Sequence, residues 1–93
     1  MIGKTCLIRT YSAGVHFGTL VKRKKREVTL GGARRIWSWT GANTLNEIAT
    51  KGIDAGKSRV SEPVESIVLT EAIEIIPMTE EACASLASCA WKS

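Results

Sequence analysis

The chain has 93 residues, of which 44% are hydrophobic and 24% are charged, and its formal net charge is +4. This size and composition are typical of one globular core, which excludes a fibrous or disordered protein and predicts a single domain over residues 1–93. No apolar run approaches the roughly 20 residues that span a bilayer, and the start Met1 to Lys4 lacks a signal-peptide core, so we expect a cytoplasmic protein without a membrane segment.

The charges are unevenly distributed along the chain. Twelve of the thirteen Lys and Arg residues precede Ser61, whereas six of the nine Asp and Glu residues follow Val60. Such an asymmetry indicates either a charged partner or contacts between the basic and acidic halves, across a sheet or between subunits.

The first thirty residues predict three strands and a basic hairpin. Residues 6–11 and 15–22 have extended patterns, separated by small residues that suit a bulge or turn. A strand-like segment follows at 27–30, and five consecutive cations lie before it. We place these cations, called here the basic tip, at the turn of an antiparallel hairpin: Lys22, Arg23, Lys24, Lys25 and Arg26.

Residues 32–40 predict a strand rich in arginine and tryptophan. Gly31 and Gly32 are expected to turn the chain into it. Strand alternation places Arg35, Trp37 and Trp39 on one face of the sheet. The opposite face receives Arg34, Ile36, Ser38 and Thr40.

A short helix is predicted to follow. Thr44 and Glu47 have the spacing of a capping box, in which each side chain accepts a hydrogen bond from an otherwise unpaired backbone N–H. Gly52 is placed to end this helix. Its packed face is expected to contain Leu45, Ile48 and Ala49.

The remaining segments predict a loop, two strands and a helix. Residues 53–60 have a loop composition, and we expect them to be the least ordered part and suited to closing over a ligand. Residues 64–69 form a strand, and 70–76 form either a further strand or a strand that begins after a tight turn at Thr70 and Glu71. Thr79 caps a helix from Glu80 to about residue 90. The expected packed side of that helix is Cys83, Leu86, Ala87 and Ala90, with Trp91 in the core or a subunit contact.

This order of elements predicts an α+β fold. The expected architecture is a mostly antiparallel sheet of about five to six strands, with one short crossover helix and a C-terminal helix.

The arginine and tryptophan strand has two interpretations. A guanidinium recognises phosphate or carboxylate through paired N–H donors, and an indole stacks on a purine or a guanidinium. In this interpretation the ligand is a nucleotide-like anion, and the predicted binding residues are Arg9, Tyr11, Arg34, Arg35, Trp37 and Trp39. In the other, the indoles fill the core or a subunit interface, because the chain has few other large rings. Both hold if the pocket lies at a subunit boundary.

The basic tip also has two interpretations. Clustered Lys and Arg contact phosphates or an acidic partner, which makes the tip a candidate for phosphate or partner contacts. A hairpin turn also needs solvating charges, and the tip then has no further role.

No catalytic or metal-binding pattern is present in the sequence. Cys6, Cys83 and Cys89 match no zinc or redox spacing, and His16 has no partner ligand, so we expect reduced thiols, no structural disulfide, no metal and no cofactor. His16 is expected to be structural, because no second titrating group stands at a recognisable spacing for acid–base or nucleophilic catalysis. The sequence therefore predicts a protein that is not an enzyme.

Three segments resemble a family of short proteins of tailed bacteriophages and prophages. These are residues 9–15 (RTYSAGV), residues 33–42 (ARRIWSWTGA) with Leu45 and Ala49, and residues 69–77 (LTEAIEIIP). The resemblance covers most of the chain and implies a phage origin and expression in the cytoplasm of a bacterial host. It brings no established activity and no residue role, and the basic tip departs from the family pattern.

By analogy with small phage accessory proteins, the resemblance implies function by binding. The first hypothesis is an anti-defence protein that sequesters a nucleotide-like anionic signal molecule in an oligomeric assembly. The alternatives are an inhibitor that binds a host defence protein, as anti-CRISPR proteins do, a basic nucleic-acid-binding protein, and a structural or assembly protein. A small core with several spare aromatic residues also predicts a symmetric homo-oligomer.

Overall fold

The computed structural model of the chain describes residues 1–89, and these form an antiparallel sheet with two helices. The strands are β1 (Thr5–Thr10), β2 (Val15–Lys24), β3 (Glu27–Ser38), β4 (Arg59–Val60), β5 (Val64–Leu69) and β6 (Ala72–Pro77). The helices are α1 (Leu45–Lys51) and α2 (Glu80–Ala87). The predicted α+β class, the antiparallel sheet and the positions of both helices are confirmed.

The sheet is rolled by the short connection between its two edge strands. Its order is β4-β3-β2-β1-β6, and β5 pairs with the first half of β3. In a flat sheet, β5 and β6 would lie four strand spacings apart, which is about 19 Å. Only Thr70 and Glu71 connect these strands, and three steps between Cα atoms cover at most about 11 Å. The sheet must therefore curl until its edges approach each other.

The roll buries both faces of the central strands. Cys6, Leu7 and Ile8 are consecutive in β1 and all buried, which requires cover on each side of the sheet. The outer face carries the helices over a cluster that we call the helix-side cluster: Leu7, Phe17, Ile36, Ile48, Ala49, Ile53, Val60, Leu86 and Cys89. The inner face of the roll holds the inner cluster: Cys6, Ile8, Leu20, Val28, Leu30, Ala33, Leu69 and Ala72.

The expected turn at Gly31 and Gly32 is wrong. β3 runs straight through both glycines, with a shift in its register against β2 at this point. Gly32 has a φ of 56°, so it takes the bulge conformation that other residues avoid. Two expected strands are thus one long strand, because a pair of glycines allows a bulge as readily as a turn.

Several element bounds also differ from the prediction. β3 ends at Ser38, so Trp39 and Thr40 lie outside the strand. β4 forms within the expected loop 53–60. Of the two alternatives for residues 70–76, the structure shows the second, in which β6 begins after a turn at Thr70 and Glu71. Helix α2 ends at Ala87, with Ala82 and Leu86 buried and Ala87 exposed, so the expected packing of Ala87 is wrong. The expected roles of Ala90 and Trp91 fall outside the described residues.

Threonine caps begin both helices as predicted. The Thr44 hydroxyl accepts from the Glu47 backbone N–H at 3.2 Å, and the Thr79 hydroxyl accepts from that of Ala82 at 3.1 Å. The capping box at α1 is only half formed, because the Thr44 backbone N–H donates no hydrogen bond to the Glu47 carboxylate within residues 1–89. Gly52 ends α1 with a φ of 89°.

The close approach of β2 and β3 predicts that position 18 does not accommodate a side chain larger than that of glycine. A Cβ at Gly18 would lie 2.9 Å from the Gly31 carbonyl oxygen and 3.1 Å from Ala33 Cα. We expect Gly18→Ala to lower the free energy of unfolding by about 1–3 kcal/mol, measured by urea denaturation, since the added methyl group forces two backbones apart. Gly56→Ala is the matched control, because its Cβ would meet nothing closer than 3.6 Å. Equal effects of the two substitutions would contradict the close packing at the bulge.

Candidate functional site

The six residues predicted to bind a ligand do not converge on one site. Arg9 lies opposite Val15, and Val15 opposite Ile36, which places Arg9 on the helix side of the sheet. Arg34 lies opposite Phe17 on the same side. Arg35 lies opposite His16, and His16 opposite Ile8, on the inner side of the roll. Arg9 and Arg34 therefore lie on one face of the sheet and Arg35 on the other, although Arg34 and Arg35, which are adjacent in β3, both line one small cavity.

Arg34 is bound by carbonyl groups of its own chain. Its Nε donates to the Ser61 carbonyl oxygen at 2.8 Å, Nη2 to that of Cys89 at 2.9 Å and Nη1 to that of Leu86 at 3.4 Å. The last carbonyls of a helix lack partners within the helix, and a cation there also suits the helix dipole. Arg34 thus ties the end of α2 to the segment after β4, and its side chain has a structural role.

Arg35 is held by a histidine on the neighbouring strand. Its Nε donates to Nε2 of His16 at 3.0 Å. Since a guanidinium is only a donor, Nε2 must carry the lone pair, and the neutral ring then bears its proton on Nδ1. Nδ1 is buried and has no hydrogen-bond partner in the described part of the chain. The expected structural role of His16 agrees with this burial, although only one of its two nitrogens is paired.

The surroundings of His16 keep it uncharged. The side chain is 1% exposed, and burial together with the neighbouring Arg35 guanidinium lowers the pKa of His16 to about 4. The imidazole is therefore neutral at pH 7 and accepts the Arg35 hydrogen bond instead of repelling the guanidinium.

The other predicted residues lie apart from one another. Trp37 is 45% exposed, and the Arg59 guanidinium lies 5.0 Å from the centre of its ring. Trp39 is half-buried against the helix-side cluster, so its expected place on the face of Arg35 and Trp37 is wrong. Tyr11 is 78% exposed, and Arg9 forms an exposed ion pair with Glu74 at 3.6 Å.

The basic tip faces a groove that includes β6. Lys25 and Arg26 form the two-residue turn of the β2–β3 hairpin, and Lys25 has a φ of 56°. Arg23 Nε donates to the Lys25 carbonyl oxygen at 3.2 Å, which fixes its direction. A groove of about 680 Å³, called here the tip groove, lies between this hairpin and β6. Its lining includes Arg23, Lys25, Arg26, Ile73, Glu74 and Ile75.

The cations of the basic tip are not neutralised within residues 1–89. The structure pairs none of the five with a carboxylate in this range, and the ion pair recorded there joins Arg9 to Glu74. The sequence predicted the cations of the basic tip but not their neighbours on β6, because a local pattern does not indicate which strand a hairpin turn will contact. The backbone N–H of Ala72 donates to the Arg26 carbonyl oxygen at 2.9 Å and fixes this meeting.

The described residues contain no cluster of three metal-ligating side chains and no helix long and apolar enough to cross a membrane. No disulfide joins the three cysteines within residues 1–89, where Cys6 and Cys89 are buried and Cys83 is half-buried. Burial raises the pKa of the Cys6 thiol.

Comparison with known proteins assigns no activity. The model of a protein family described as a domain of unknown function (DUF6948) matches residues 3–86. No curated protein and no solved structure matches the chain. The function must therefore be argued from the geometry of the surface.

The contacts of Arg34 predict a stability effect that Arg9 does not share. We expect Arg34→Gln to lower the free energy of unfolding by about 2 kcal/mol, because carbonyls at the end of α2 lose their donors. Arg9→Gln, the matched control, breaks an exposed ion pair and is expected to cost less than about 1 kcal/mol. Urea denaturation followed by circular dichroism measures both. A smaller loss for Arg34→Gln than for Arg9→Gln would show that its carbonyl contacts do not hold α2.

The lowered pKa of His16 predicts a loss of stability in acid. Between its ordinary pKa of about 6.5 and the folded value of about 4, the unfolded chain binds a proton that the folded chain does not. Stability attributable to His16 is therefore complete above pH 6.5 and falls by about 3 kcal/mol as the pH drops to 4. The substitution His16→Gln removes this contribution, and the Oε1 of the new glutamine is expected to accept the hydrogen bond from Arg35 Nε. The measurement is the difference in unfolding free energy between the two proteins at several pH values; parallel curves would contradict a buried neutral histidine.

Proposed function

The chain belongs to the DUF6948 family, and from its surface we propose that it is a non-enzymatic binding protein that holds a nucleotide-like, phosphate-bearing ligand in the tip groove. The observation that carries this proposal is the convergence of Arg23, Lys25 and Arg26 on one groove without a carboxylate paired to any of them within residues 1–89. Unpaired cations around a concavity attract an anion strongly, because their charge is not already neutralised.

The shape of the tip groove suits a ligand with both a charged and an apolar part. Its volume of about 680 Å³ lies within the range of small-molecule sites. The side chains of Ile73 and Ile75 offer an apolar wall for a base, and Ile73 is already exposed to solvent. Arg23 and Arg26 present guanidinium groups, which bind phosphate oxygens through paired N–H donors. Glu74, which is paired with Arg9, restricts the site to ligands whose negative charge stays near the hairpin.

This site replaces the one expected from the sequence. Arg34 is occupied by backbone carbonyls, and Arg35, Trp37 and Trp39 do not surround a common cavity with Arg9 and Tyr11. The expected anionic group stays the same, because it was inferred from guanidinium groups and the basic tip also supplies these. The base was expected to stack on an indole, and in this proposal the apolar side chains of Ile73 and Ile75 take that place.

The biological role proposed with this site is anti-defence. The resemblance of residues 9–15, 33–42 and 69–77 to phage and prophage proteins supports a phage accessory protein acting in the host cytoplasm, where it counters or modulates a defence by sequestering its signal molecule. We include a homo-oligomer in the proposal. β5 and β6 each pair along one edge only within the described residues, and unpaired strand edges are sites for association.

Nucleic-acid binding is the second candidate, favoured by the same basic tip. Five exposed cations at the end of a hairpin can contact several phosphates of a nucleic-acid strand as well as those of one nucleotide. Binding of this kind falls steeply with salt concentration and needs no groove. No contact in the described residues favours the inhibitor of a host defence protein over these two, and it stays a prediction.

A pair of double variants distinguishes a groove from a diffuse positive charge. We expect Arg23→Gln with Arg26→Gln to weaken binding of a nucleotide panel, including cyclic dinucleotides and ADP-ribose, at least about tenfold by calorimetry, since hydrogen bonds to charged groups are lost. The matched control is Lys22→Gln with Lys24→Gln, which removes the same charge from residues that do not line the groove. This control is expected to change affinity by less than about threefold.

Equal losses in the two double variants would replace the groove with a general electrostatic surface. If the wild-type protein then shifts DNA or RNA with a steep salt dependence, the nucleic-acid candidate is favoured. Absence of binding to every nucleotide and nucleic acid by a folded sample would overturn both.

A further inference from the structure

A second cavity lies at the other end of the roll from the tip groove. It has a volume of about 190 Å³, enough for roughly six water molecules. Its lining includes His16, Ala33, Arg35, Glu62, Val64 and Ile67. We call it the mouth cleft, because it opens between β3 and the start of β5, where the inner face of the roll meets solvent. It is too small for a nucleotide, so its ligand differs from that of the tip groove.

The Arg35 guanidinium is the positive group available in this cleft. The other arginine that lines it, Arg34, is occupied by three carbonyl groups. Arg35 uses only Nε, in the hydrogen bond to His16 at 3.0 Å, and its Nη1 and Nη2 groups have no partner within residues 1–89. Its terminal N–H donors are therefore free for a ligand.

His16 holds this guanidinium in place. Because the ring is buried and fixed by packing, its Nε2 restrains the side chain of Arg35. That side chain has therefore lost part of its conformational entropy before a ligand binds, and binding costs less free energy. The backbone of Arg35 is restrained as well: its N–H donates to the Ser61 hydroxyl at 2.8 Å, and its carbonyl accepts from the Ser61 N–H at 2.8 Å. A fixed fork of N–H donors matches the two oxygens of a carboxylate.

We propose that the mouth cleft binds a carboxylate on a short apolar stem, with Arg35 contacting the carboxylate and His16 acting as the positioning residue. Ala33, Val64 and Ile67 supply the apolar wall for the stem. The size of the cleft limits the stem to a few carbon atoms. A free short-chain carboxylate and the C-terminal residue of a peptide share this chemistry.

Glu62 is the internal competitor for this site. Glu62 lines the cleft but forms no ion pair with Arg35 within the described residues. It opposes the incoming charge, so its removal strengthens binding by up to about fivefold, the range expected of an exposed charge interaction. Loss of Arg35 and loss of Glu62 thus change affinity in opposite directions.

The single histidine of the chain provides a direct readout. Imidazole and guanidinium nitrogen resonances of the labelled protein are followed by NMR at pH 7 and constant ionic strength, with acetate, propionate and butyrate against chloride. We expect a saturable shift of Arg35 Nε and His16 Nε2 with propionate and butyrate, and none with chloride. Arg35→Lys keeps the charge but loses the fork, and it is expected to weaken binding at least tenfold, whereas Glu62→Gln strengthens it.

Two further measurements are made. One distinguishes a peptide from a small acid as the source of the carboxylate, and the other distinguishes the mouth cleft from the tip groove. A short peptide with a free C-terminus is compared with its C-terminal amide: binding of the free form alone favours a peptide ligand, and binding of only the small acids favours a metabolite. The double variant Arg23→Gln with Arg26→Gln is expected to bind carboxylates normally. Shifts that do not saturate, equal shifts with chloride, or unchanged binding in Arg35→Lys would overturn the proposal, and the amide spectrum of each variant verifies its fold.

Discussion

The two-residue connection between β5 and β6 is the constraint on which the rest of the structure depends. These strands form opposite edges of the sheet, and Thr70 and Glu71 are too few to link them unless the sheet curls. Curling converts one face of the sheet into an interior, so the chain obtains a second core without a second layer of helices. It also produces two ends: one beside the tip groove, where the Ala72 N–H donates to the Arg26 carbonyl oxygen in the hairpin turn, and one at the mouth cleft.

The neighbours Arg34 and Arg35 show how a strand gives identical side chains different roles. Arg34 lies on the helix side and donates hydrogen bonds to the carbonyl groups at the end of α2. Arg35 lies on the opposite face and is exposed at the mouth cleft, where the buried neutral imidazole of His16 accepts from its Nε and leaves its Nη1 and Nη2 groups without a partner within residues 1–89. The difference follows from the alternation of side chains across a sheet whose two faces are covered by unlike elements.

Charge is distributed over the fold so that its basic part remains available. The end of the β2–β3 hairpin carries five exposed cations, three on β2 and two in the turn, and the acidic residues of the second half lie mostly on β5, β6 and the start of α2. Arg9 and Glu74 pair where β1 and β6 meet, so the sequence asymmetry is partly resolved across the sheet. The basic tip has no such pairing in the described chain, which is why the tip groove supports a proposal of anion binding.

Local patterns were sufficient to predict most of the elements. The threonine caps, the α1 face of Leu45, Ile48 and Ala49, and the basic hairpin are visible in the sequence because each depends on residues within a few positions of one another. The glycine pair was misjudged as a turn, because Gly31 and Gly32 permit either geometry and only the partner strands select the bulge.

The grouping of functional side chains was decided by tertiary structure alone. Alternation along β3 correctly places Arg34 and Arg35 on opposite faces of the sheet. It does not indicate that Arg34 will donate to carbonyl groups at the end of α2 or that Arg35 will donate to His16. The ordering of β5 and β6 at opposite edges, and therefore the roll, the tip groove and the mouth cleft, arises from contacts between residues far apart in the chain. A sequence thus determines which groups are charged, apolar or able to turn, whereas burial and pairing depend on which distant strand each one meets.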